Sequence, residues 1–122
     1  MIAAIRHLIG STRFSIQGLG VLMRERAARI EVFALAVSLV YLALLGARAG
    51  HWVMVTVLFL VLLGTEALNT CIEALVDRDS LERSDFARDV KDLGSAAVFC
   101  TVCGLIVYLA AVGFGALGWI AF

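Results

Sequence analysis

Residues 65–77 read Thr65-Glu66-Ala67-Leu68-Asn69-Thr70-Cys71-Ile72-Glu73-Ala74-Leu75-Val76-Asp77. Glu66, Asn69, Glu73 and Asp77 are offset by 3, 7 and 11 positions. At about 3.6 residues per turn these four share one helix face, within about 80° of arc. The segment continues an uncharged run from Trp52 to Thr65. That run alone spans only about 21 Å at a rise of about 1.5 Å per residue, short of a hydrocarbon core about 30 Å thick. A membrane helix starting at Trp52 must therefore carry on through the acidic residues. Leu68, Ile72, Leu75 and Val76 keep an apolar face going beside them. This places Glu66 just inside one leaflet, Glu73 at its interface and Asp77 in water. The alternative is a helix that ends at Thr65 and leaves an ordinary solvated acidic face.

The rest of the chain agrees with a membrane setting. Of 122 residues, 62% are hydrophobic and 16% charged, with mean hydropathy +1.00; soluble domains are about half apolar and a quarter charged. So much apolar side chain excludes disorder. Ten Lys+Arg balance ten Asp+Glu, which argues against nucleic acid as a partner. Three cysteines, all in apolar stretches, do not make a disulfide scaffold. They also lack zinc-site spacing and read as buried small hydrophobes.

Outward from residues 65–77, the expected organisation is one membrane domain over 1–122. It is all-α, with an N-terminal amphipathic surface helix over about 1–28 and spans over about 30–48, 52–76 and 93–120. The surface helix rests on Ile2, Ile5, Ile9, Ile16, Leu19 and Met23 recurring at helical spacing, with Arg6, Arg13 and Arg24 on a stripe beside them. Val32–Ala47 and Leu93–Phe122 carry no charge, whereas ten charged residues lie between Asp77 and Asp92. Arg is concentrated before the first span, and the 77–92 loop holds three Arg and Lys91, whereas the 48–51 turn holds Arg48 alone. The positive-inside bias therefore puts the N-terminus and the 77–92 loop in the cytoplasm. His7 and His51 fall on opposite sides and read as surface residues. Glu31 either faces the site or caps the first span, and Arg26 and Arg29 read as headgroup anchors. A chain this small is expected to form a homo-oligomer.

An intramembrane carboxylate is costly and marks a functional site by default. Carboxylate oxygens suit a hard cation such as Mg²⁺, and a carboxylate among apolar neighbours can act as a general base. Phosphoryl transfer needs a divalent metal, a base and a cation on the phosphates, and Lys91 could be that cation. No GxxxxGK[ST] or GxGxxG loop occurs, so a nucleotide site would be of neither familiar soluble type.

The run Glu66-Ala-Leu-Asn69-Thr-x-Ile-Glu73-Ala-x-Val-Asp77-Arg78, followed by Lys91-Asp92-Leu-Gly94-Ser95-Ala-Ala-Val, resembles the signature of the prokaryotic diacylglycerol kinase family. The resemblance covers the whole chain in layout and residues 66–98 strongly. It implies a homotrimer in the bacterial inner membrane, with sites shared between protomers. These would use ATP and Mg²⁺ to convert diacylglycerol to phosphatidic acid. Glu66 then stands as the base that takes the lipid hydroxyl proton, and Glu25 and Glu73 as the metal ligands. Asn69, Asp77, Lys91, Asp92, Glu82 and Arg6 stand around the nucleotide. Ser95, Arg29 and Glu66 stand near the lipid substrate. Phe14 replaces a common Tyr, Ser84 a loop His, and Arg88-Asp89 the usual Gly-Arg, so adenine recognition departs from the family pattern. Gly94-Ser95-Ala-Ala resembles the diacylglycerol branch more than the undecaprenol kinases of the same family. A small proton-coupled transporter is the reading from another class. It needs its acid near the midplane, whereas these acids cluster at one leaflet and run into a charged loop. A non-catalytic assembly subunit has no use for the Glu66 and Glu73 pair.

Overall fold

The computed structural model describes the backbone of residues 2–79 and 84–121, and within them the side chains of residue 10 and of residue 12 onward. Four helices follow in order: α1 (Ile2–Leu22), α2 (Arg26–Leu44), α3 (Ala49–Asp79) and α4 (Asp85–Ala116). No strand occurs among the described residues. The last three helices are long and apolar enough to cross a membrane. The N-terminal helix is shorter than the sequence suggests. It ends at Leu22, and a turn through Met23 and Arg24 leads to Glu25, whose extended backbone (φ −71°, ψ 140°) starts α2.

Length arithmetic places the protruding parts. The 19 residues of α2 make about 28 Å of helix, close to the thickness of a hydrocarbon core. The 31 residues of α3 and 32 of α4 make about 46 and 48 Å. Because α2 and α3 meet at a tight turn, the surplus of α3 lies at its Asp79 end. There is no break at Thr65, so the alternative of an early helix end is excluded. The surplus of α4 lies at its Asp85 end. There Ser84 caps the helix by accepting the Ala87 N–H at 3.0 Å, with Asp85 favourable in the first turn.

Both described turns at the opposite end are made by glycine. After α2, Gly46 has φ +62°, its N–H bonds Ala43 O and the Ala47 N–H bonds Leu42 O. This is the Schellman arrangement, which favours glycine because a side chain strains the left-handed backbone. Gly118 (φ +73°) repeats it after α4, through Gly118 N–H to Gly115 O and Trp119 N–H to Phe114 O. The third span therefore ends as a helix at Ala116, short of residue 120. Trp52 Nε1 donates to Ala47 O at 3.1 Å and braces the first turn.

Helix α3 packs against both α2 and α4. Its buried positions are Val55, Phe59, Leu62, Glu66 and Asn69, alternating by four and three residues as a helix–helix seam does. Leu42 from α2 and Leu105 and Val112 from α4 close the apolar part of that seam. The outer faces keep Val40, Val57, Leu60, Phe99 and Ile106 exposed. A helix apolar all round is the pattern of a span whose other side meets lipid or another span.

The cysteines and His51 depart from the sequence expectation. Cys71 and Cys100 are exposed, not buried, and Cys103 is half-buried; on a helix able to span a membrane, an apolar side chain does not need a protein core to leave water. His51 is half-buried rather than a free surface residue. Its Nδ1 lies 2.9 Å from Tyr108 Oη, tying the start of α3 to α4.

Candidate active site

The α3 seam changes character along its length. Val55, Phe59 and Leu62 fill the apolar core, and the same stripe continues as Glu66, Asn69 and Glu73. The packing that buries the first three thus also buries the next two. Glu66 is 6% exposed and Asn69 9% exposed, and Glu73 is half-buried. Asn69 Nδ2 donates to Glu73 Oε1 at 3.0 Å. One turn on, Asp77 Oδ1 accepts from Lys91 Nζ at 2.8 Å, linking the acidic stripe to α4. The Glu73 charge also acts on Lys91.

The start of α2 reaches the same place. The charges of Glu73 and Glu25 both act on Glu66, and that of Glu66 acts on Glu31. Glu25 occupies the N-cap position but makes no side-chain capping bond, so its carboxylate is not committed to the helix end. Arg29 secures the α1–α2 corner. Its Nη1 donates to Arg24 O at 2.8 Å and to Met23 O at 3.4 Å, which matches a local clamp better than a free headgroup anchor.

Glu31 is the residue the sequence left undecided. It is 8% exposed, and its Oε2 has no hydrogen-bond partner. The signal was present in the buried stripe of α2, Ala28, Glu31, Ser38 and Leu42, which alternates by three and four once Leu35 is included. A capping role at the first span's end is ruled out, because α2 already begins at Arg26.

The other expected residues are less gathered. Asp92 and Ser95 are exposed on α4, on a different face from the buried Ala87 and Gly94. Glu82 and the side chain of Arg6 lie outside the described residues.

No three His, Cys, Asp or Glu side chains converge as a ready cage among the described residues. Mg²⁺ in kinase sites uses only one or two carboxylates together with substrate phosphates. Glu73 spends one oxygen on Asn69, which leaves its second oxygen and the Glu25 carboxylate as hard donors. The donor set fits that ion. Chemically, the arrangement sets a buried carboxylate at the end of the apolar seam, acidic oxygens about two and three turns further out, and an ammonium beside the last of them.

Comparisons with known proteins point to one family. The family model described as prokaryotic diacylglycerol kinase matches residues 13–113. A diacylglycerol kinase of Sinorhizobium sp. is 39% identical over 106 residues, covering 87% of this chain and 77% of that protein. One from Haemophilus influenzae is 34% identical over 100 residues, covering 81% and 85%. One from Pseudomonas aeruginosa is 34% identical over 112 residues, covering 91% of each. The family match takes in α2, α3, the acidic stripe and nearly all of α4, and on these grounds the chain belongs to the prokaryotic diacylglycerol kinase family.

Proposed function

We propose that this protein transfers the γ-phosphoryl group of ATP to the hydroxyl of diacylglycerol, giving phosphatidic acid at the cytoplasmic face of the bacterial inner membrane. The observation that carries the reading is the single α3 stripe, which runs from an apolar seam into Glu66 and then to Asn69, Glu73 and Asp77. A water-borne acceptor has no need of a base buried among spans. A lipid whose chains stay in the bilayer brings its hydroxyl to that depth.

Glu66 accepts the hydroxyl proton as the acceptor oxygen bonds to the γ-phosphorus, and the bond from that phosphorus to the β,γ-bridging oxygen breaks to release ADP. Glu25 and Glu73 would hold Mg²⁺, which supplies positive charge to the phosphate oxygens when bound. Asn69 orients Glu73. Lys91, tethered by Asp77, offers its remaining N–H donors to phosphate. Asp92, Glu82 and Arg6 complete the nucleotide side, and Ser95 the lipid side. Arg29, on the lipid side, supports the site by holding the corner that presents Glu25. Ser95 and Asp92, exposed on one chain, are open to completion by neighbouring copies, as the homotrimer implied by the family resemblance would provide. The Arg-rich N-terminus and the 77–92 segment face the cytoplasm, where ATP is.

The test is ATP-dependent phosphorylation by the purified protein in mixed micelles, with diacylglycerol and undecaprenol as separate acceptors. Faster turnover of diacylglycerol supports the proposal. Preference for undecaprenol moves the protein to the polyprenol branch, and transfer to neither lipid removes the kinase reading in favour of a transporter.

A further inference from the structure

Gly94 is the residue of α4 that lies against Asn69. A β-carbon built on Gly94 would fall onto Asn69 Oδ1, with Asn69 Cγ at 3.4 Å and Cα at 3.9 Å. Gly94 is buried, and Asn69 Oδ1 is buried with no N–H or O–H donor in reach. The Gly94 Cα–H that a side chain would replace therefore points at that oxygen, a weak but directional contact. The other end of the same amide, Nδ2, donates to Glu73 Oε1. The reverse orientation would set a carbonyl oxygen against a carboxylate. The missing side chain at position 94 thus leaves the space that the Asn69 carbonyl occupies while its N–H₂ faces Glu73.

We propose that Gly94 is a positioning residue for the magnesium site: by leaving room for the Asn69 carbonyl, it orients the amide that fixes the Glu73 carboxylate. That bond engages Glu73 Oε1 and leaves the second oxygen for the metal. This rests on the reading of Glu73 as a metal ligand. Any side chain at 94 must displace the Asn69 amide, because the obstructing atoms belong to a short side chain in a closed seam.

The experiment is a double-mutant cycle on the full-length protein in detergent: Gly94→Ala, Asn69→Ala and the pair, with Glu73→Gln alongside. Two quantities are read. The first is the melting temperature without metal. The second is the Mg²⁺ concentration for half-maximal lipid phosphorylation, together with the KM for lipid. Gly94→Ala should lower the melting temperature and raise the Mg²⁺ requirement about tenfold, as loss of one charge-assisted hydrogen bond implies, with the lipid KM unchanged. In the Asn69→Ala background the same change should have no further effect on either quantity, because the truncated side chain leaves room for the methyl group. The pair also keeps the test open if Gly94→Ala alone does not fold. Additive effects overturn the proposal, as does an unchanged Mg²⁺ requirement in Gly94→Ala. Glu73→Gln tells which part failed. If it too leaves the Mg²⁺ requirement unchanged, Glu73 is not a metal ligand; if it raises the requirement and Gly94→Ala does not, the role given to Gly94 is wrong.

Discussion

Replacing Glu31 by Leu should make the protein more stable and a poorer enzyme. Glu31 sits on the buried stripe of α2 at 8% exposure, one of its oxygens lacks any donor, and it shares its surroundings with Glu66. An unsatisfied buried polar atom costs about 1–3 kcal/mol, more when charged. Even whole buried ion pairs are often replaced by apolar side chains of similar volume at no cost or with a gain of about 1–4 kcal/mol. Leu35, one turn along the same stripe, is already apolar and packs against the core, so an apolar side chain at 31 continues that face. A gain of about 1–3 kcal/mol is expected, a rise of roughly several degrees in melting temperature for a chain of this size. Activity should fall, because the acidic cluster around Glu66 loses a member; stability given up at a functional site is the usual trade. Thermal unfolding in detergent and initial rates on the same preparation read both effects. A Leu variant that melts lower would refute the reasoning, since it would mean that the Glu31 carboxylate is bonded in the assembled protein. A stabilised variant with full activity would make Glu31 a bystander.

Other expectations follow from the same geometry. Glu25→Gln and Glu73→Gln keep shape and remove charge, so each should raise the Mg²⁺ needed for half-maximal turnover and lower the rate; wild-type titrations for both would remove them as ligands. Single cysteines at Ser84 and Ala49, in a background without Cys71, Cys100 and Cys103, should react with an impermeant thiol reagent from outside the cell only at Ala49. The opposite pattern would invert the orientation and put the nucleotide side outside. Gly46→Ala places a side chain at φ +62° and should cost about 1–2 kcal/mol in thermal unfolding with little change in KM for either substrate; an unchanged melting temperature would show that the turn relaxes freely.

Much of this architecture is legible in the sequence because the bilayer imposes simple arithmetic. The run from Trp52 to Thr65 is too short to span, so the acidic stripe had to be helical, and α3 indeed runs unbroken to Asp79. Periodicity alone places Glu66, Asn69, Glu73 and Asp77 on one face. Helix ends were harder. Gly46 and Gly118 end helices through backbone conformation, and Ser84 starts one through a single capping bond, signals that hydropathy averages away. The burial of Glu31 was hidden because a charge at the edge of an apolar run looks like a boundary. Only the phase of Ala28, Ser38 and Leu42 tells that it faces inward. The cysteines misled for the converse reason, since an apolar side chain in a span can satisfy itself in lipid without burial. The contact between Gly94 and Asn69 joins two helices 25 positions apart in the chain, and no local pattern encodes it.

The central claim is that Glu66 is the base for a lipid hydroxyl, and Glu66→Gln tests it most directly. Phosphoryl transfer to diacylglycerol and ATP affinity should be measured on one purified preparation of the variant. A general base acts in the chemical step and not in nucleotide binding, and it contributes about 100-fold or more. Transfer should therefore fall at least that far while ATP binds with wild-type affinity. Transfer retained above about a tenth of wild type, or ATP binding lost together with transfer, would contradict the account.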